Sequence, residues 1–116
     1  MHFKKILLIL LILPLFSTES NGNRFIPDPC AVYGLFFIEE FPEQAQYFVY
    51  IEDSEAFADI IVFEEENRLF ADEPGHWFFV ENRNFAHYSI YFVENRDNAD
   101  FSVYFTDISS FAGCNN

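Results

Sequence analysis

One unit of thirteen residues recurs along residues 32–112, and a fixed period restricts a chain more than any local propensity does. A small residue opens each copy: Val32, Ala45, Ala58, Ala71, Ala86, Ala99 and Ala112. The spacing is thirteen throughout except between Ala71 and Ala86, where it is fifteen, and the two extra residues fall around Glu73-Pro74-Gly75, a turn-type insertion. Four residues into the unit stands an apolar column: Phe36, Val49, Val62, Trp77, Ile90 and Val103. The next column is aromatic in every copy: Phe37, Tyr50, Phe63, Phe78, Tyr91 and Tyr104. Three residues further on every copy is acidic: Glu40, Asp53, Glu66, Glu81, Glu94 and Asp107.

Each unit reads as a strand followed by a tight turn. The strand is rich in Val, Ile, Tyr and Phe, the types that fit a pleated surface. The segment after the acid has room for only one or two helical turns, and an acid there can accept backbone N–H groups at the turn's start. Phe57, Phe70, Phe85 and Phe111, each just before an Ala, are expected to fold back onto the sheet with it. Adjacent apolar columns imply that both sheet faces are covered. One such unit cannot bury its apolar face, but stacked copies can. The expected fold is therefore mainly β: a compact repeat domain of about six strand-plus-short-turn units, with short helical turns between strands.

Composition bounds the setting. The chain has 116 residues, one domain's worth, and 51% of them are hydrophobic, enough for a core. Lys4 and Lys5, then an apolar run over residues 6–16, then Thr18 and Ser20, read as a cleaved signal peptide over residues 1–20. The apolar run is too short to span a bilayer, so no transmembrane segment is expected in the mature chain. Residues 21–29 read as a polar, extended lead with two prolines, and residues 30–116 as the repeat domain. The expected location is secreted or periplasmic. Loss of residues 1–20 removes Lys4, Lys5 and Glu19 and moves the net charge from −13 to −14. The remaining cations are Arg24, Arg68, Arg83 and Arg96, which argues against nucleic acid as a partner. Cys30 and Cys114 stand at the two edges of the patterned region and, in an exported protein, read as one disulfide joining its ends. A free thiol or a metal pair are the alternatives.

The units Ala58-Asp59-Ile60-Ile61-Val62-Phe63 and Ala99-Asp100-Phe101-Ser102-Val103-Tyr104, the Trp77-Phe78-Phe79-Val80 copy and the ending Phe111-Ala112-Gly113-Cys114 resemble a family of small exported bacterial domains. The resemblance covers residues 30–116. It implies a torus-type knotted β fold and, because no activity is attached to the family, brings no catalytic residue. The chain departs from that pattern at Gln46 and His87, where Asp is usual, and at Val32, which opens the first unit.

The acidic column is the foremost candidate for chemistry. Glu40, Asp53, Glu66, Glu81, Glu94 and Asp107, with Asn67, Asn82 and Asn95 beside three of them, supply the hard oxygen ligands that Ca²⁺ takes. Against that stands turn capping and a charged edge that resists strand addition. Arg68, Arg83 and Arg96 are expected to pair with Glu66, Glu81 and Glu94 of neighbouring units, and anion binding is the minor alternative. The aromatic column is read as packing, with sugar stacking as the rival. His76 and His87 have no nucleophile motif beside them. No catalytic or cofactor-binding residue is assigned. The reading that follows is a non-enzymatic binding or structural module for a protein or surface partner. A calcium-dependent module using the acidic column is the alternative, and a small hydrolase using paired carboxylates the second.

Overall fold

A computed structural model describes residues 27–115. The signal-peptide reading and most of the polar lead lie outside the described residues. The end of the lead is already part of the fold: Pro27 is buried, and Asp28 Oδ1 accepts the N–H of Cys30 at 3.0 Å.

Seven strands alternate with seven single-turn 3₁₀ helices, as the repeat predicts. The strands are β1 (Gly34–Ile38), β2 (Tyr47–Ile51), β3 (Ile60–Glu64), β4 (His76–Phe79), β5 (Tyr88–Val93), β6 (Phe101–Thr106) and β7 (Gly113–Cys114). The turns are η1 (Pro29–Ala31), η2 (Pro42–Gln44), η3 (Glu55–Phe57), η4 (Arg68–Phe70), η5 (Arg83–Phe85), η6 (Arg96–Asn98) and η7 (Ser109–Phe111). The small column caps all of them: Val32, Ala45, Ala58, Ala71, Ala86, Ala99 and Ala112 each donate their N–H to the carbonyl of the turn's first residue. The N-cap is not the acid, as the sequence suggests, but the residue after it. Ser54, Asn67, Asn82 and Asn95 each accept the N–H two residues on. A short polar side chain reaches that N–H in an Asx- or ST-type turn from the cap position itself, and an acid one residue earlier is too far out.

Strands β1 to β6 are parallel and close into a barrel in the order β4-β1-β5-β2-β6-β3, with β3 pairing back to β4. Each strand is displaced by two residues against its neighbour, as in Phe36↔Tyr88, Tyr47↔Ile90 and Val49↔Phe101. Strongly sheared pairing of this kind is what lets so few strands close. The short β7 runs antiparallel beside the first half of β3, between it and the approach to β4. Taken as a ring of seven, the order is β4-β1-β5-β2-β6-β3-β7. Every strand in sequence then lands two places further round. The chain makes two laps, and the second lap lies between the strands of the first.

Alternation puts the apolar column at the barrel's centre. Phe36, Val49, Val62, Trp77, Ile90 and Val103 are all fully buried. Phe36 stacks on Trp77 with ring centroids 3.9 Å apart, and the Trp77 indole N–H donates to the Val32 carbonyl at 3.1 Å. Below this layer lie Tyr47, Ile60, Tyr88 and Phe101, with Gly34 and Gly75 completing it where no side chain fits. At Gly75 φ is +84°, and a Cβ would stand 2.3 Å from the Gly113 nitrogen and 2.6 Å from the Ile61 oxygen. The two-residue insertion therefore serves to bring a glycine against β7.

In three units the side chain after the Ala fastens one lap to the other. Asp59 Oδ2 accepts the N–H of Ser102 at 2.8 Å, and Asp100 Oδ2 accepts that of Phe48 at 2.7 Å. His87 does the same work with Nδ1, accepting the N–H of Leu35 at 3.1 Å. Its departure from the repeat replaces one acceptor by another. Cys30 and Cys114, with Cα atoms 5.4 Å apart, are joined across 84 residues of chain.

Candidate functional site: the crossovers and the barrel mouth

The six members of the acidic column, Glu40, Asp53, Glu66, Glu81, Glu94 and Asp107, are all exposed. Each stands at the head of its own crossover, so the barrel distributes them around its circumference. Among the described residues no three His, Cys, Asp or Glu side chains gather as a metal ion would require.

The carboxylates that matter to the fold are one residue earlier. Glu39, Glu52 and Glu65 are buried on the outer side of the barrel. Arg83 donates from Nε and Nη2 to the two oxygens of Glu39 at 2.8 and 2.7 Å, and Arg96 donates from Nη2 to Glu52. The expected pairing with Glu66, Glu81 and Glu94 is thus corrected for Arg83 and Arg96: their partners are 44 residues away, on the strand that the second lap lays alongside. Burial decides this, because a carboxylate taken out of water needs a cation far more than an exposed one does. The hydrogen bond that Arg83 donates to Glu39 holds its guanidinium above the ordinary pKa, against an opposing effect of desolvation. Arg83 lies over the Phe37 ring at 5.3 Å and Arg96 over Tyr50 at 5.9 Å. Part of the aromatic column is therefore a stacking surface for the chain's own cations. Glu65 takes a different partner, His76, through Oε2 and Nδ1.

The phenylalanines before the alanines do not fold back. Ala58 and Ala71 are buried against the barrel and occupy the space beneath the crossover, which leaves Phe57 and Phe70 outside it. Turn η3 packs over β6, η7 over β3, η5 over β1 and η6 over β2, and Gln44 of η2 meets Ser89 of β5. Phe111 of η7 lines one depression with Glu55 of η3, and Ser109 of η7 lines another with Phe70 of η4. Turns η3, η7 and η4 are therefore neighbours. They carry Phe57, Leu69, Phe70, Ile108 and Phe111, which are between 49% and 74% exposed. On η2 and η6 the residues equivalent to Phe57 are Gln44 and Asn98, so the exposed apolar side chains are sparser on the other turns, with Phe41 at the start of η2 and Phe85 on η5.

The mouth of the barrel adds a second apolar surface. Ile38, Ile51, Glu64, Phe79, Phe92 and Phe105, one residue from each of the six long strands, ring an open depression of about 300 Å³. Glu64 is the one acid in that ring. Glu64 and Phe79 also line a cavity of about 920 Å³ that extends over Phe63, Glu65 and Phe70 toward η4. The mouth and the apolar turns thus meet along β3.

A closed parallel barrel wound twice by a thirteen-residue repeat is a class of fold defined by its path. The family model for the 7(1) septoil knot domain matches residues 29–115, and the chain belongs to that family. No curated protein and no solved structure matches it. The expected knotted β fold stands, and the step of two around seven positions is its structural form.

Proposed function

We propose that the protein is an exported, non-enzymatic binding module in which the knotted barrel is a rigid scaffold and the crossovers are the recognition surface. The observation that carries this reading is the group of Phe57, Leu69, Phe70, Ile108 and Phe111 on three adjacent turns. Large apolar side chains gathered in water mark interaction surfaces, whereas scattered ones do not. The side chains sit on short capped turns tied to a closed sheet, so little ordering cost remains to be met on binding. The net charge of −13 favours a partner with basic groups beside its apolar ones.

The test compares the wild type with a variant carrying Phe57→Ser, Phe70→Ser and Phe111→Ser. The exposed positions predict an unchanged far-UV spectrum and a thermal midpoint within a few degrees. Side-by-side capture should retain a partner on the wild type and lose it on the variant. A partner held equally by both would remove the crossovers from the interface.

A further inference from the structure

The repeat builds the same ion pair twice, and in the third copy His76 stands against the acid and near the ring where the others have an arginine. Glu39 and Glu52 each receive an arginine from the first residue of a turn 44 positions on, Arg83 of η5 and Arg96 of η6. The third copy has the buried acid, Glu65, and the ring, Phe63, that correspond to Phe37 and Tyr50. The residue 44 positions on is Ser109, the first of η7. Between Ser109 and His76 lies a depression of about 320 Å³ lined also by Glu65, Phe70, Asp72 and Glu73. It adjoins the 920 Å³ cavity through Glu65 and Phe70.

We propose that this depression is a binding site for a guanidinium group, supplied by an arginine side chain of a partner protein. The inference rests on the docking reading above and names what the partner inserts. Two copies within the same chain already show what these residues hold: a guanidinium against a buried carboxylate and over an aromatic ring. His76 engages only Oε2 of Glu65 among the described residues. In the Glu39 copy both carboxylate oxygens accept from the guanidinium. Asp72 and Glu73, brought by the longer fourth unit, add negative charge that the two filled copies do not need. A planar fork of N–H donors suits this arrangement, and an ammonium does not stack in the same way. The source is a protein segment and not a free solute, because the two turns that supply Phe70 and Ser109 to the lining also carry the exposed Leu69, Ile108 and Phe111.

The probes are the peptide acetyl-Phe-Arg-Phe-amide, its citrulline and lysine counterparts, and free arginine amide, titrated into the isotope-labelled oxidised protein. The arginine peptide should give saturable shifts centred on Phe63, Phe70 and Ser109. The citrulline peptide, of the same shape without charge, should bind at least tenfold more weakly, and the lysine peptide and arginine amide should fall between. Ser109→Arg should fill the site from within, raise the thermal midpoint and weaken the arginine peptide at least tenfold. Glu94→Gln, an exposed acid on another unit, should change nothing. Equal binding of arginine and citrulline peptides to the wild type, which needs no variant to fold, would overturn the guanidinium site. Equal binding of arginine amide and peptide would overturn the protein source. Either result with the serine variant still deficient in capture would leave the apolar surface standing and remove only the pocket.

Discussion

At the scale of single residues, one column of the repeat carries the core. Phe36, Val49, Val62, Trp77, Ile90 and Val103 are legible in sequence because every copy is apolar at that position, and all six are fully buried. Trp77 is the largest of them and the only tryptophan in the chain. Trp77→Ala removes the stack on Phe36 and the bond to Val32, and should cost about 3–5 kcal/mol, read as a lowered midpoint in urea by circular dichroism. The buried carboxylates were not legible in the same way. Glu39, Glu52 and Glu65 correspond to Val80, Val93 and Thr106 in the later copies, so the column is mixed and hides beside the complete acidic one. What buries those three acids is a cation 44 residues away or, for Glu65, a histidine that opens β4. Neither partner can be found from the acid's own neighbourhood.

At the scale of elements, the turn is the device that makes a parallel barrel possible from so short a repeat. Parallel neighbours ordinarily need crossovers of a dozen or more residues, usually with an α-helix. Here one 3₁₀ turn, closed by an Ala and opened by a polar cap, makes the return. The small column therefore reads correctly from sequence as a structural position. The acids read incorrectly as caps because a one-residue offset separates a side chain that reaches the turn's N–H from one that faces water. Asn82→Ala should cost about 1 kcal/mol in denaturant unfolding, and Asn82→Asp should keep most of it, since either side chain accepts the Asn84 N–H. Equal loss from both would mean that the asparagine amide nitrogen, and not its oxygen, holds the turn. The exposure of Phe57 and Phe70 follows from the same element: one turn has one inner position, and Ala58 and Ala71 occupy it.

At the scale of the whole molecule, the path is what sequence periodicity cannot specify. Near-identical copies satisfy the same pattern whichever neighbours they take, so the repeat predicts strands and leaves their order open. Order is written instead in particular contacts, such as Gly75 against Gly113 and the Asp59, Asp100 and His87 bonds between laps. The cross-link between Cys30 and Cys114 closes a long loop and should contribute on the order of 4 kcal/mol in the chain-entropy view. Intact mass after alkylation without reductant should show no added label, and two labels would mean that the ends are open.

That cross-link also changes what unfolding means. A path with free ends can slip out of its own crossings, given time. A closed ring cannot, and the number of its crossings is an invariant that heat and denaturant leave untouched. The oxidised chain in concentrated denaturant is thus a random coil that still holds its tie, its knot type unchanged. Only the reduced chain can forget the route and must thread it again.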